Sequence, residues 1–138
     1  TSKAGADAQK KLKKEFENET KKFLAKEAEI KKEEKDIISK KNLITKEEYS
    51  NKVNLLRKKV LDFQKNKQKV LSGIAKRRNV AKIELLKAVN PIVKKYMEDN
   101  NIRIVLDKQS VLMGDASLEI TSQIIKILNK EVSSLKIN

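Results

Sequence analysis

The sequence predicts a mainly α protein with a small β body: a long antiparallel coiled-coil helical hairpin, or arm, followed by a β-hairpin and a C-terminal helix. Three observations carry that expectation. The 138-residue chain holds only three Gly and one Pro, so turns are few. Charged residues make up 38% and aromatics 4%, which leaves little material for a large globular core and favours narrow apolar seams on long helices. Apolar residues also recur at coiled-coil spacing through the first two thirds of the chain, then switch to a period of two. That sustained periodicity argues against disorder, the rival reading of so charged a composition.

The first helix is expected across 7–39, which has neither Gly nor Pro. Phe16, Phe23, Ile30 and Ile37 recur every seven residues, with Leu12, Leu24 and Ile38 beside them, while the alternate seam positions Thr20, Glu27 and Glu34 are polar. Each heptad thus buries about one large side chain, and pairing is weak. The pattern breaks at 40–44. Thr45-Lys46-Glu47-Glu48 then reads as a capping box, with Ile44 and Tyr49 placed as its hydrophobic staple, so a second helix starts there after a tight tip.

That second helix carries a stronger seam at Tyr49, Val53, Leu56, Val60, Phe63, Lys67, Val70, Ile74, Arg77 and Ala81, interrupted only by Lys67 and Arg77. Antiparallel folding about the tip sets Ile37 near Glu47, Ile30 near Asn54, Phe23 near Leu61 and Phe16 near Gln68, so the first helix runs out by about Arg77. Beyond Arg78 the helix has no expected partner in its own chain, although Ile83, Leu85, Leu86, Val89, Ile92 and Val93 make it apolar over a wide arc that must be covered. Pro91 requires either a kink or a restart with Asn90 as cap.

After Asn100-Asn101, Ile102, Ile104 and Leu106 alternate with Arg103, Val105 and Asp107. A turn over 107–110 then leads into Val111-Leu112-Met113, which reads as a β-hairpin. Gly114 and Asp115 end it, and Thr121 is expected to cap a last helix with Ile124, Ile125, Ile127 and Leu128. Two strands alone are marginal in water, so further strands must come from another copy of the chain. Three regions follow: an N-terminal segment at 1–6, the arm at 7–82 with its tip near 40–45, and an oligomerisation body at 83–138. Leu86, Val89, Val93, Ile102, Ile104, Leu106, Val111 and Leu112 are the candidate oligomerisation residues.

The formal charge is +14, with 33 Lys and Arg against 19 Asp and Glu. It points to an anionic partner: an acidic protein, nucleic acid or an acidic membrane surface. The excess is uneven. Residues 52–95 hold fourteen Lys and Arg against Asp62 and Glu84 alone, whereas the first helix holds ten against nine and cannot neutralise its neighbour. The candidate client- or anion-binding residues are therefore Lys58, Lys59, Lys65, Lys69, Lys76, Arg77, Arg78 and Lys82, with Lys76-Arg77-Arg78 the densest cluster. Any single lysine reads first as solvation of a helix face; the whole stretch does not.

Function classes narrow further on what is missing. With no Cys and no His there is no thiol nucleophile, no imidazole acid-base group and no common transition-metal ligand, so neither an enzyme nor a cofactor is expected. Adjacent carboxylates such as Glu33-Glu34 point apart on a helix and read as solvated ion-pair partners, not as a catalytic dyad. Nucleic acid is disfavoured as a partner because Phe16, Phe23, Tyr49 and Phe63 are all assigned to seams, leaving Tyr96 alone as a stacking surface. No apolar run approaches the roughly 18 residues of a membrane span, so a soluble chain is expected.

The run Val105-Leu106-Asp107-Lys108-Gln109-Ser110-Val111-Leu112, then Ser117-Leu118-Glu119-Ile120-Thr121, Ile124, Ile125 and Leu128-Asn129, resembles the Skp, or OmpH-like, family of periplasmic chaperones. The opening Ser2-Lys3-Ala4-Gly5-Ala6 is similar to that family's lead into its first long helix, with Ala6 where Lys is common. The resemblance implies a jellyfish-shaped homotrimer in the periplasm, with basic arms around a cavity that holds unfolded outer-membrane β-barrel precursors without ATP. It also implies a strand ahead of the Ser2 region, which either was removed or lies outside this sequence. Binding to lipopolysaccharide or anionic lipid is a further reading, compatible with the holding role. A non-specific nucleic-acid-binding protein and a structural coiled-coil spacer are the alternatives.

Overall fold

The protein is described by a computed structural model over residues 1–137. Two long helices, α1 (Lys3–Ser39) and α2 (Lys46–Asp99), are followed by an irregular segment with two short 3-10 turns and a closing helix, α3 (Thr121–Glu131). The chain divides into two compact units: Lys13–Lys76, the helical hairpin, and Thr1–Leu12 together with the chain from Arg77 onward. Among the described residues no helix is long and apolar enough to cross a membrane.

In the hairpin unit, local chemistry fixes the tip. The Thr45 N–H donates to Glu48 Oε2 at 3.0 Å and the Glu48 N–H donates to Thr45 Oγ1 at 3.2 Å, the reciprocal capping box expected from the sequence. The Thr45 N–H, together with the Thr45 hydroxyl 3.1 Å from Glu48 Oε2, holds the Glu48 carboxyl below the usual carboxylate range. Every expected α2 seam position from Tyr49 to Ile74 is buried or half-buried, Lys67 included. On α1, Phe23 and Ile37 are buried and Ile30 is half-buried. Phe16 departs from expectation: it is 48% exposed, whereas Phe23 is 6% exposed.

The register also differs from the sequence estimate. Phe23 meets Phe63, edge to face at 6.0 Å between ring centroids, two positions further along α2 than Leu61. Glu27 meets Lys67 and Glu33 meets Lys59. The offset follows from the aromatic pair, because an edge-to-face contact carries more stabilisation than the aliphatic match a simple count from the tip would give.

In the second unit, α1 does not run out at Arg77. Ala8 and Leu12 form a buried cluster with Ala81, onto which Leu135 and Ile137 pack. A Cβ on Gly5 would lie 3.5 Å from Leu85 and 3.0 Å from Ser2 Oγ, so small side chains at Ala4, Gly5 and Ala8 let the helices close tightly. Ser2 begins α1 as its cap, its hydroxyl oxygen accepting the Gly5 N–H at 3.2 Å. Much of the wide apolar arc beyond Arg78 is covered within the chain as well, while Ile83 and Leu86 stay exposed. α3 lays Ile124 and Leu128 on Ile92, and Leu85, Ala88, Val89, Val93 and Tyr96 pack around them. The expectation that this arc lacks an intrachain partner is therefore overturned, for the reason that α3 is amphipathic and connected closely enough to fold back.

α2 continues through Pro91 without restarting at Asn90. The missing donor leaves the Lys87 carbonyl without its helical bond, at a position where the Pro91 ring itself is exposed to water. The helix ends instead at the Asn pair. Asn101 takes a left-handed φ of 55°, the Ile102 N–H donates to the Met97 carbonyl at 2.9 Å and the Asn101 N–H to Glu98 at 3.4 Å. This is a Schellman ending with Asn in the place usually held by Gly.

The expected β-hairpin does not form among the described residues. Residues 102–107 run without regular structure and without a ladder partner. The second arm of the hairpin fails at Leu112 and Met113, where the backbone bends. Two aspartates organise the segment locally: Asp107 accepts the Gln109 N–H at 2.9 Å and Asp115 accepts the Ser117 N–H at 2.8 Å, each winding a 3-10 turn. Lys108 Nζ joins the two turns by donating to Glu119 at 2.7 Å. Nor does Thr121 cap α3. It is the first helical residue, after Ile120 with no side-chain cap bond.

Two stability experiments test this packing. Phe23→Ala costs about 3 kcal/mol, whereas Phe16→Ala costs well under about 1 kcal/mol, measured by thermal and urea unfolding followed by circular dichroism; similar losses contradict the seam described here. Asn101→Gly raises the unfolding midpoint by relieving the left-handed backbone, and a lowered midpoint contradicts the assigned helix ending.

Candidate functional site

Four of the expected anion-binding residues make one geometric feature of the hairpin unit. Lys58, Lys65, Lys69 and Lys76 follow one another at intervals of seven, four and seven, which at about 100° per residue keeps them within roughly 20° of a single line along α2. The row extends about 27 Å at 1.5 Å per residue. All four are exposed and lie away from the seam, with Lys58 also at the rim of the groove between the helices, and none has an ion-pair partner among the described residues. Their unbalanced charges raise the local potential for any acidic chain, and they do so without a rigid pocket.

Lys59 and Lys67 are different. Lys59 is half-buried and donates to Glu33 across the hairpin. Lys67 occupies the seam, donates to Glu27 Oε1 at 2.7 Å, and stands 5.9 Å from the Phe23 ring centroid and 5.8 Å from that of Phe63. Its hydrogen bond, reinforced by its charge, holds the Glu27 carboxyl below the usual range. These two lysines therefore align the helices and are less available to a ligand than the exposed row.

Between the helices lies an open groove of about 590 Å³. Phe23, Phe63 and the 67%-exposed Leu55 supply its apolar lining, and Lys22, Lys26 and Lys58 are among its charged walls. Lys22 donates to Glu19 at 2.6 Å and Lys26 to Glu29 at 2.7 Å, and the latter bond lowers the Glu29 carboxyl from its ordinary value. Lys22, Lys26 and Leu55 escape sequence reasoning. α1 is nearly neutral in sum, and Leu55 falls outside the seam, so only the register shows that they converge on one groove.

Arg77, Arg78 and Lys82 belong to the second unit. Arg78 and Lys82 are exposed without an ion pair among the described residues, and Arg77 is half-buried in line with the seam. The candidate oligomerisation residues divide. Val89 and Val93 are half-buried beneath α3, and Ile102 is half-buried at the Schellman ending. Leu86, Ile104, Leu106 and Val111 are exposed, and Leu112 is 100% exposed. Leu112, Met113 and Leu118 thus place large apolar side chains in water along the irregular segment. Among the described residues no group of three ligating side chains is placed to hold a metal ion.

The role of Lys67 has a measurable consequence. A carboxyl whose folded pKa is lowered adds stability that is present above its unfolded value and is lost as pH falls through the folded one. Lys67→Met should therefore raise the Glu27 pKa in an NMR titration and remove that part of the acid sensitivity. An unchanged Glu27 titration rules out the assigned contact.

No curated protein sequence matches the chain. Among solved structures, the chain is similar to a crystal structure described as a candidate OmpH-like outer membrane chaperone from Caulobacter crescentus CB15. The TM-score is 0.91 at 16% sequence identity, covering 100% of this chain and 82% of that one. At that identity the likeness is one of fold. The model of the family described as outer membrane protein (OmpH-like) matches residues 1–128, and with nearly the whole chain matched, the protein belongs to the OmpH-like family.

Proposed function

We propose that the protein is a chaperone that holds unfolded outer-membrane β-barrel precursors in the periplasm without ATP and prevents their aggregation. The observation that carries this reading is the row Lys58, Lys65, Lys69 and Lys76, a line of exposed cations with no ion-pair partner among the described residues. Leu24, Leu55 and Leu61 are exposed in the same unit, so the surface offers scattered apolar contacts between its charges. Such a surface binds an acidic, partly apolar chain by many weak and quickly exchanging contacts, which leaves the client mobile and no single residue essential. Membership of the OmpH-like family and the fold shared with a candidate outer membrane chaperone support the same role. Lys59 in the hairpin unit, and Arg77, Arg78 and Lys82 in the second unit, are further candidate contacts for an acidic client.

A homotrimer completes the reading. The unladdered segment 102–107 and the exposed Leu86, Ile104, Leu106, Val111 and Leu112 need partners, and strands from other copies supply both backbone bonds and apolar cover. Ile102, Val89 and Val93, half-buried in the same unit, complete the candidate oligomerisation set. Lipopolysaccharide or anionic lipid is a second ligand class for the Arg77–Arg78 region.

Light scattering of a urea-denatured β-barrel protein diluted into buffer tests the holding role. The wild-type chain suppresses aggregation at stoichiometric ratio without nucleotide. Replacing all four lysines of the row with Gln weakens suppression several-fold, each single replacement changes it little, and added salt mimics the quadruple change. No suppression by the wild type, or sub-micromolar oligonucleotide binding that survives salt, would favour the spacer or the nucleic-acid alternative.

A further inference from the structure

The groove between α1 and α2 combines features that the exposed lysine row lacks, and we propose that it is a subsite for an extended polypeptide stretch in which an apolar side chain lies two residues from a carboxylate. This inference rests on the holding role and names which part of a client the arm takes. Leu55 and Lys58 are one helical turn apart on α2, which sets their Cβ atoms about 5–6 Å from each other. In an extended chain the side chains of residues i and i+2 point to the same side at a separation of about 7 Å. The flexible Lys58 stem spans the small difference between these spacings, so one peptide face can set its apolar group against Leu55 while its carboxylate meets the Lys58 ammonium.

The charge around the groove selects the acidic class. Lys22, Lys26, Lys58 and Lys59 line it against Glu19 and Asp62. Lys58 has no ion-pair partner among the described residues. Lys22 and Lys26 each engage one glutamate through exposed, water-screened pairs, and an ammonium retains further donors for an incoming carboxylate. A peptide with Lys in the acidic position would instead face this excess of like charge. The lining also separates this subsite from a purely electrostatic surface: Leu55 is exposed at 67% with the Phe23–Phe63 pair forming the apolar floor, so a client lacking the apolar residue gains only the weak ionic contact.

Three dye-labelled peptides and the full chain test the proposal by fluorescence anisotropy: one repeating Leu-Ser-Glu-Ser, one repeating Leu-Ser-Lys-Ser and one repeating Ser-Ser-Glu-Ser. The first binds most tightly. Leu55→Gln weakens it roughly tenfold, the effect of losing one leucine contact, and Lys58→Gln weakens it several-fold. Leu43→Gln, at a still more exposed leucine of the tip, leaves it unchanged. Both α2 changes are at exposed positions, and circular dichroism confirms that each variant keeps the wild-type helix content. Equal binding of the three peptides, equal loss in Leu43→Gln, or binding of vesicles containing anionic phospholipid in place of the peptide overturns the subsite. Light scattering on the same proteins keeps the two ideas apart. A wild type that suppresses aggregation but shows no preference among the peptides loses the subsite alone, and a wild type that fails to suppress aggregation loses the holding role.

Discussion

The antiparallel register of α1 against α2 is the constraint on which the hairpin unit depends. A narrow seam cannot tolerate a shift of pairing without moving polar groups inward, and the seam here contains a lysine. Lys67 is accommodated because Glu27 accepts its hydrogen bond and the rings of Phe23 and Phe63 stand near its charge. Any other alignment would put that ammonium against a different α1 residue and separate the two aromatics. The polar interruption therefore specifies pairing, at a position where a leucine would stabilise the seam but permit more than one register.

Once the register is fixed, the surface follows. Lys67 in the seam and Lys59 beside it are engaged by Glu27 and Glu33, while Lys65, Lys69 and Lys76 face away and Lys58 stands at the groove rim, none of these four with an ion-pair partner among the described residues. Along the nearly neutral α1, Glu17, Glu19 and Glu29 pair with lysines of their own helix, whereas Glu27 and Glu33 reach across to Lys67 and Lys59. The positive charge of α2 is thus presented outward, and the structural and binding uses of lysine are separated by helical angle on one element.

The second unit depends on a different device, the fold-back of α3. Leu128, 2% exposed, is the most buried side chain of its cluster and draws Ile124 onto Ile92. That intrachain cover satisfies much of the apolar arc on α2 and leaves the irregular segment at 102–120 with its leucines in water. Exposed leucines and an unladdered backbone together mark where this unit is incomplete by itself.

Periodicity, caps and charge were legible from the residues alone: the two long helices, the Thr45–Glu48 box, the Asn100-Asn101 stop and the excess of lysine on α2 are local properties carried by neighbouring residues. The alternation at 102–106 was legible too, but alternation specifies a strand only when a second backbone is present to bond it, and within this chain the Asp107 and Asp115 turns take the backbone elsewhere. Tertiary packing alone decided the Phe23–Phe63 register, the exposure of Phe16, the close approach at Gly5 and Leu85, the cover that α3 gives α2, and the convergence of Lys22, Lys26, Leu55 and Lys58 on one groove. Each joins residues far apart in the chain, where the outcome turns on competing side-chain fits that no single stretch of sequence contains.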